Sequence, residues 1–320
     1  MDAARAPLPV VAAAPPPPVV TPPRADLAAA VLATLAYADV FSHPLTAEEV
    51  HRFLVASRAT PEEVSGVLRL PEVRRHLGRE GECFTLASGA GSVALRRRRQ
   101  QVAVRMWPRA RRWAKALACL PFVRLVAVTG ALAVDAVDPG ADIDFLIVAR
   151  SGRVWLCRVL VTALARASRM GGAPLCPNYV LSEAALAVED RSLYTAHELV
   201  QMVPLAGPQT WRRLCEANAW VADFLPNAGW GASPRSVRPA GGAAARLLER
   251  LLGGRLGDRL EATLERWQVA HLERKIARGQ LRGGEAAFGR DGYKGHFDAH
   301  GVRILAAWRA RVDRFAGAAG

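Results

Sequence analysis

The sequence predicts an α+β protein, with a mixed sheet in the middle of the chain and helices before and after it. Three observations carry this prediction. Residues 126–148 read as an apolar strand, a glycine turn into a short helix, a Pro-Gly turn and a second apolar strand. A further strand over Leu175–Leu181 follows a helix over Val154–Ala167 that is apolar nearly all round. Helix start signals and helical periodicity then dominate both flanks of this region. With 320 residues, 51% of them hydrophobic, the chain can bury the core of two ordinary domains plus extensions.

Along the chain, residues 1–26 include Pro15–Pro18, Pro22 and Pro23, which exclude a signal-peptide helix and predict a disordered, polyproline-like tail. Residues 27–95 form a small unit. Leu27–Tyr37 is an Ala/Leu-rich helix, and Thr46-Ala-Glu-Glu and Thr60-Pro-Glu-Glu each open another helix with a capping-box pattern. Short strands over Cys83–Leu86 and Val93–Leu95 are expected to pair as a hairpin. Three helices and a hairpin resemble a winged helix, a unit that contacts DNA or docks a partner protein.

Residues 96–120 predict a connecting helix with nine basic side chains and no acid. Arg98, Arg105, Arg109 and Arg112 fall on one face, and Val102, Met106 and Trp113 on another. That face is either a cationic wall for phosphates or a solvated surface. Pro108 should kink or split the helix.

The core is predicted over 121–205. Asp142 and Asp144 stand two residues apart at the start of an apolar strand, so both leave the same face about 7 Å apart along the backbone. Two negative charges side by side at the edge of an apolar layer are costly unless a cation lies between them. A divalent metal holding nucleotide phosphates is the natural occupant. The turn at Gly130 and Ala131, separated from Asp142 by the ten residues 132–141, can aim backbone N–H groups at a phosphate. On the later strand, alternation places Cys176, Asn178 and Val180 on one face. Asp135, Asp138, Glu183 and Glu198 read as surface or capping acids. His197-Glu198 lacks the second histidine of a zinc protease and reads as structural, and His296 and His300 read as capping groups.

Residues 206–320 predict a helical C-terminal extension: a Gly/Pro/Ser-rich linker over 229–242, then helices over Leu256–Arg278 and Val302–Phe315, the latter burying Ile304, Trp308, Val312 and Phe315.

The net charge is +14, and only Lys115, Lys275 and Lys294 among the 43 basic residues are lysines, so the charge is carried almost wholly by arginine. Such a charge favours polyanionic ligands in a loose sense. Five widely spaced cysteines without a CxxC predict free thiols in a reducing cytoplasm. No apolar run reaches 18 residues without a charge, so no membrane span or membrane partner is expected.

Thr129-Gly130-Ala131, a ten-residue spacer and Asp142-Ile143-Asp144-Phe145 together resemble the signature of the polymerase-β-type nucleotidyltransferase superfamily. More narrowly, residues 37–50, 128–133, 142–158, 176–183 and 194–205 resemble bacterial nucleotidyltransferase-domain proteins of undefined substrate. The resemblance implies a polymerase-β-like core, Mg2+ (or Mn2+) held by Asp142 and Asp144, and an NTP whose phosphates meet Thr129, Gly130 and Ala131. It implies transfer of an NMP to an acceptor that is a small molecule, a protein or a nucleic acid. Two residues depart from the pattern. Ala131 replaces a serine, removing a hydroxyl worth about 1.5–3 kcal/mol of phosphate binding. Asn178 is the residue nearest to where a third carboxylate would stand, and an amide takes no proton at neutral pH. These departures motivate an alternative: a catalytically degenerate nucleotide-binding regulator that contacts DNA or a partner protein through residues 27–95.

Overall fold

Helix α1 (Leu27–Val40) opens the described chain, and every residue from Ala30 to Ala38 on it is buried, because it is the central rod of the N-terminal unit. The computed structural model describes residues 27–89, 91–169, 174–230, 243–278, 287–294 and 300–316. The predicted tail over 1–26, His296 and most of the predicted linker over 229–242 lie outside the described residues. After α1 come β1 (Leu45–Thr46), α2 (Ala47–Arg52) and α3 (Pro61–Val67). Both capping boxes are present. The Thr46 N–H reaches Glu49 Oε2 at 2.8 Å, and the Thr60 N–H reaches Glu63 Oε2 at 2.7 Å.

Next are α4 (Pro71–Arg74), β2 (Leu77–Glu80) and β3 (Cys83–Leu86), which join β1 in a sheet ordered β1-β3-β2. Here the hairpin differs from expectation: Cys83–Leu86 pairs with Leu77–Glu80, and Val93–Leu95 is helical. The reason is local. Gly81, at φ +61°, starts the two-residue turn between Glu80 and Cys83. Ser92 in turn accepts the Leu95 N–H as the N-cap of a helix.

That helix, α5 (Val93–Ala118), runs unbroken through Pro108. Pro108 and Val104, whose carbonyl loses its helical partner there, are exposed, so water can bond the freed group and the helix continues. The sheet follows: β4 (Val123–Val128), α6 (Gly130–Ala133), β5 (Ile143–Ala149), α7 (Val154–Ser168), β6 (Leu175–Ser182), α8 (Leu193–Gln201) and β7 (Val203–Ala206). Strands β4 and β5 are antiparallel, while α7 crosses over to put β6 parallel to β5.

The last third contributes α9 (Pro208–Ala217), α10 (Val221–Phe224), α11 (Ala243–Leu251), α12 (Arg255–Ala277), β8 (Ala287–Gly289), β9 (Gly292–Lys294) and α13 (His300–Ala316). It is mostly helical, but its β8–β9 hairpin extends the central sheet, giving the mixed order β7-β4-β5-β6-β9-β8. The chain is therefore α+β. Strand alternation divides two apolar layers. Val126, Val128, Phe145 and Ile147 face α5, α7 and α12; Leu125, Ala127, Leu146 and Val148 face α8 and helices on that side. Helix α13 closes back on α1, where Trp308 Nε1 donates to the Ala33 carbonyl at 3.0 Å and Arg311 pairs with Asp39 at 2.7 Å.

Candidate functional site

The site lies where β4 hands over to α6 and β5 begins. Thr129 is extended and buried, and its N–H donates to the Asp144 carbonyl at 3.0 Å, stitching the end of β4 to the start of β5. Gly130 then turns the chain at φ +64°. A Cβ on Gly130 would sit 2.9 Å from Asp144 Oδ2, so the glycine is needed both for its left-handed backbone and for the closeness of that carboxylate. Ala131 is exposed on the first turn of α6. The opening N–H groups of such a turn have no partner within the helix. Thus Thr129, Gly130 and Asp144 are brought together, with Ala131 beside them.

The spacer that leads to the carboxylates is pinned to α5. Asp135, itself at φ +54°, accepts from Trp107 Nε1 at 2.6 Å. Asp138 receives Arg99 Nε at 2.9 Å and Nη2 at 3.1 Å, while Arg99 Nη1 donates to the Phe41 carbonyl at 2.8 Å. These contacts give both acids structural work.

Asp142 is exposed just ahead of β5, and Asp144 is partly buried within the strand. Asp144 lies on the face of β5 that Leu146 and Val148 turn toward α8. Burial pushes its carboxyl up from the ordinary 3.8 to about 6, with the Asp142 charge adding to the rise and the neighbouring Cys176 thiol and Asn178 amide opposing it. The two carboxylates therefore feel each other across one strand end.

On β6 the expected alternation fails. Asp144 is opposite Cys176 and Phe145 opposite Pro177, but Leu146 is opposite Tyr179, so Asn178 is an extra, bulged residue. The bulge sends Val180 to the opposite layer, beside Ile147, whereas Cys176 and Asn178 stay together, with Cys176 Sγ donating to Asn178 Oδ1 at 3.3 Å. Asn178 thus reaches Asp144 as a donor, its own oxygen being taken by the thiol. Cys176 is the site residue that sequence reasoning missed. The signal was its position two residues before Asn178 on an apolar strand. Burial, followed by the charges of Asp144 and Asp142, pushes the Cys176 thiol up to about 12, so it stays protonated and donating.

The remaining acids stand elsewhere. Glu183 pairs with Arg213 at 3.7 Å and accepts the Ser151 N–H at 3.4 Å. Glu198 is half-buried on α8, and its charge adds to the burial that raises the Tyr37 phenol pKa. His197 is buried and stacks on Tyr37, with ring centroids 4.0 Å apart. His300 packs edge-on against Tyr194.

The oxygens of Asp142 and Asp144 are hard donors of the kind that suits Mg2+ or Mn2+. A cation also relieves what the burial of Asp144 and the repulsion between the two carboxylates cost, so the pair fits such an ion. Among the described residues no group of three or more His, Cys, Asp and Glu could hold a metal, so an ion here would take its other ligands from phosphate and water. No helix among the described residues is long and apolar enough to cross a membrane. No protein-family model, curated protein or solved structure matches the chain.

Proposed function

We propose that the chain is a metal-dependent nucleotidyltransferase that moves an NMP from an NTP to an acceptor and releases pyrophosphate, on a polymerase-β-like core. The observation that carries this reading is the seat of Gly130 against Asp144, with Asp142 at the exposed end of the same strand. A turn suited to phosphate and a carboxylate pair suited to a divalent ion are thereby in contact.

In this reading Asp142 and Asp144 hold Mg2+ or Mn2+, which when bound supplies charge neutralisation at the phosphates. The N–H groups of Gly130 and Ala131 bind phosphate oxygens, and the Thr129 bridge to the Asp144 carbonyl fixes that turn relative to the carboxylates. Asn178 orients the Asp144 carboxylate by donating to it, while the Cys176 thiol donates to Asn178 Oδ1 and so fixes the amide. Asn178 cannot act as a base, which favours acceptors that are already anionic, a phosphate or carboxylate, because these need no deprotonation. The test is a thermal-shift screen of the four NTPs with and without Mg2+, joined to a pyrophosphate-release assay with candidate acceptors. An Mg2+-dependent NTP shift that Asp142→Asn removes supports the site. Wild type and Asp142→Asn behaving alike in both assays refutes it.

A second reading has its own motivating observation: Asn178 donates to Asp144 in place of a third carboxylate, and Ala131 lacks a hydroxyl. In it the core is a nucleotide sensor, and the winged-helix-like unit of residues 27–95 contacts DNA or a protein partner. NTP binding without pyrophosphate release from any acceptor selects this reading.

A further inference from the structure

Helix α5 sorts its cations by whether they have partners. At about 100° per residue, Arg96 and Arg99 fall on the side of the helix that carries the buried Ala103, Met106 and Ala110. Both are paired there, Arg96 with Glu49 at 2.6 Å and Arg99 with Asp138 at 2.9 Å. On the opposite arc stand two rows: Arg98, Arg105, Arg109 and Arg112, and beside them Arg97, Arg111 and Lys115. All seven are exposed, and none forms a salt bridge among the described residues. The helix itself contains no acid.

Like charges three and four residues apart disfavour a helix, so these rows do nothing for the stability of α5. Their arc also lacks an apolar stripe. Val104, 70% exposed, is its one large aliphatic side chain, so the face does not suit a lipid surface or a hydrophobic partner helix. What matches it is a regular line of anions. The row from Arg98 to Arg112 extends about 21 Å along the axis, the length of roughly six phosphates of one strand. Arginine is well suited to phosphate because its planar fork can bond two oxygens at once. At its N-terminal end the row begins near Asp138, whose carboxyl is held low first by Arg99 and also by Arg98, on the spacer that leads to Asp142.

We propose that the solvent-facing arc of α5 is a docking face for the phosphate backbone of a nucleic acid, bound without regard to base sequence. Such docking needs neither an NTP nor a metal, so it stands apart from the transferase reading. The experiment is fluorescence anisotropy with labelled single-stranded RNA, single-stranded DNA and duplex DNA over a salt series, in the absence of NTP and Mg2+. Arg105→Gln/Arg109→Gln/Arg112→Gln is compared with Arg259→Gln/Arg266→Gln/Arg274→Gln, which removes the same charge from exposed arginines of α12. Unchanged circular-dichroism melts establish that both variants fold. Without about three arginine–phosphate pairings, the α5 variant should bind at least about tenfold more weakly near 0.1 M salt, and its log–log salt slope should fall by about 2–3. The α12 variant should stay within about twofold of wild type. Equal weakening of both variants, no wild-type binding at low salt, or displacement by polyglutamate as readily as by unlabelled nucleic acid would each overturn the proposal.

Discussion

Replacing Gly130 by alanine tests the site at its tightest point. Two costs arise at once. The backbone stands at φ +64°, where an L-residue costs about 1–2 kcal/mol, partly offset by about 0.4–1 kcal/mol of reduced freedom in the unfolded chain. The new methyl would also stand 2.9 Å from Asp144 Oδ2. Asp144 cannot simply swing away, because Asn178, itself held by the Cys176 thiol, donates to its carboxylate. Displacing it weakens a hydrogen bond to a charged group, worth about 1.5–3 kcal/mol. The expected total is about 2–4 kcal/mol, a fall of roughly 5–10 °C in melting temperature. Gly152→Ala is the matched control, since Gly152 has φ +70° and nothing within 4 Å of its Cβ position. It should cost about 1 kcal/mol or less. Urea and thermal melts followed by circular dichroism measure both. Equal losses in the two variants, or a Gly130→Ala protein within about 0.5 kcal/mol of wild type, would refute the claimed contact between turn and carboxylate.

Three other outcomes are expected from the same structure. Asp144 has a folded pKa of about 6 against an ordinary 3.8, so its ionisation opposes folding as pH rises through that window. Asp144→Asn should therefore stabilise the metal-free protein at pH 7.5, by up to about 3 kcal/mol in urea melts, while removing any Mg2+–NTP thermal shift. Destabilisation would show that the charge is compensated. His197, buried against Tyr37, has its pKa lowered by burial from 6.5 to about 3, so its contribution is complete above pH 6.5 and is lost as pH falls toward 3. Wild type should lose about 2 kcal/mol between pH 7 and pH 5 at this position, and His197→Phe should flatten that part of the curve; an unchanged curve points to other groups. Glu261 accepts the N–H groups of Trp155 and Leu156, each at 2.8 Å, in a buried setting. Glu261→Ala leaves both donors unpaired and should cost about 2–4 kcal/mol, whereas a loss below about 0.5 kcal/mol would mean that water caps α7 instead.

Much of the local structure was legible because its causes lie within a few residues. The capping boxes at Thr46 and Thr60, the glycine turn before α6 and the strand carrying Asp142 and Asp144 all depend on side chains that meet their own backbone neighbourhood. Other features escaped for equally local reasons weighed wrongly. The hairpin shifted because Gly81 supplies the turn, and Pro108 failed to break α5 because its face is wet. The bulge at Asn178 was invisible because period-two reasoning assumes an intact ladder. Cys176 read as a spaced free thiol until register placed it opposite Asp144.

By itself, the sequence determined the class of the fold, the order of strand, turn and carboxylate strand, and the candidate residues, since each rests on short-range stereochemistry and hydrophobic period. Tertiary structure decided which charges are used and which are left over. Arg153, the N-cap residue of α7, provides no side-chain cap; Glu261, more than a hundred residues away, takes that place. Arg96 and Arg99 are neutralised by Glu49 and Asp138 from distant segments, while their neighbours on α5 are not. Pairing of this kind depends on distances of a few ångströms between parts of the chain that sequence separates, and no local propensity encodes them.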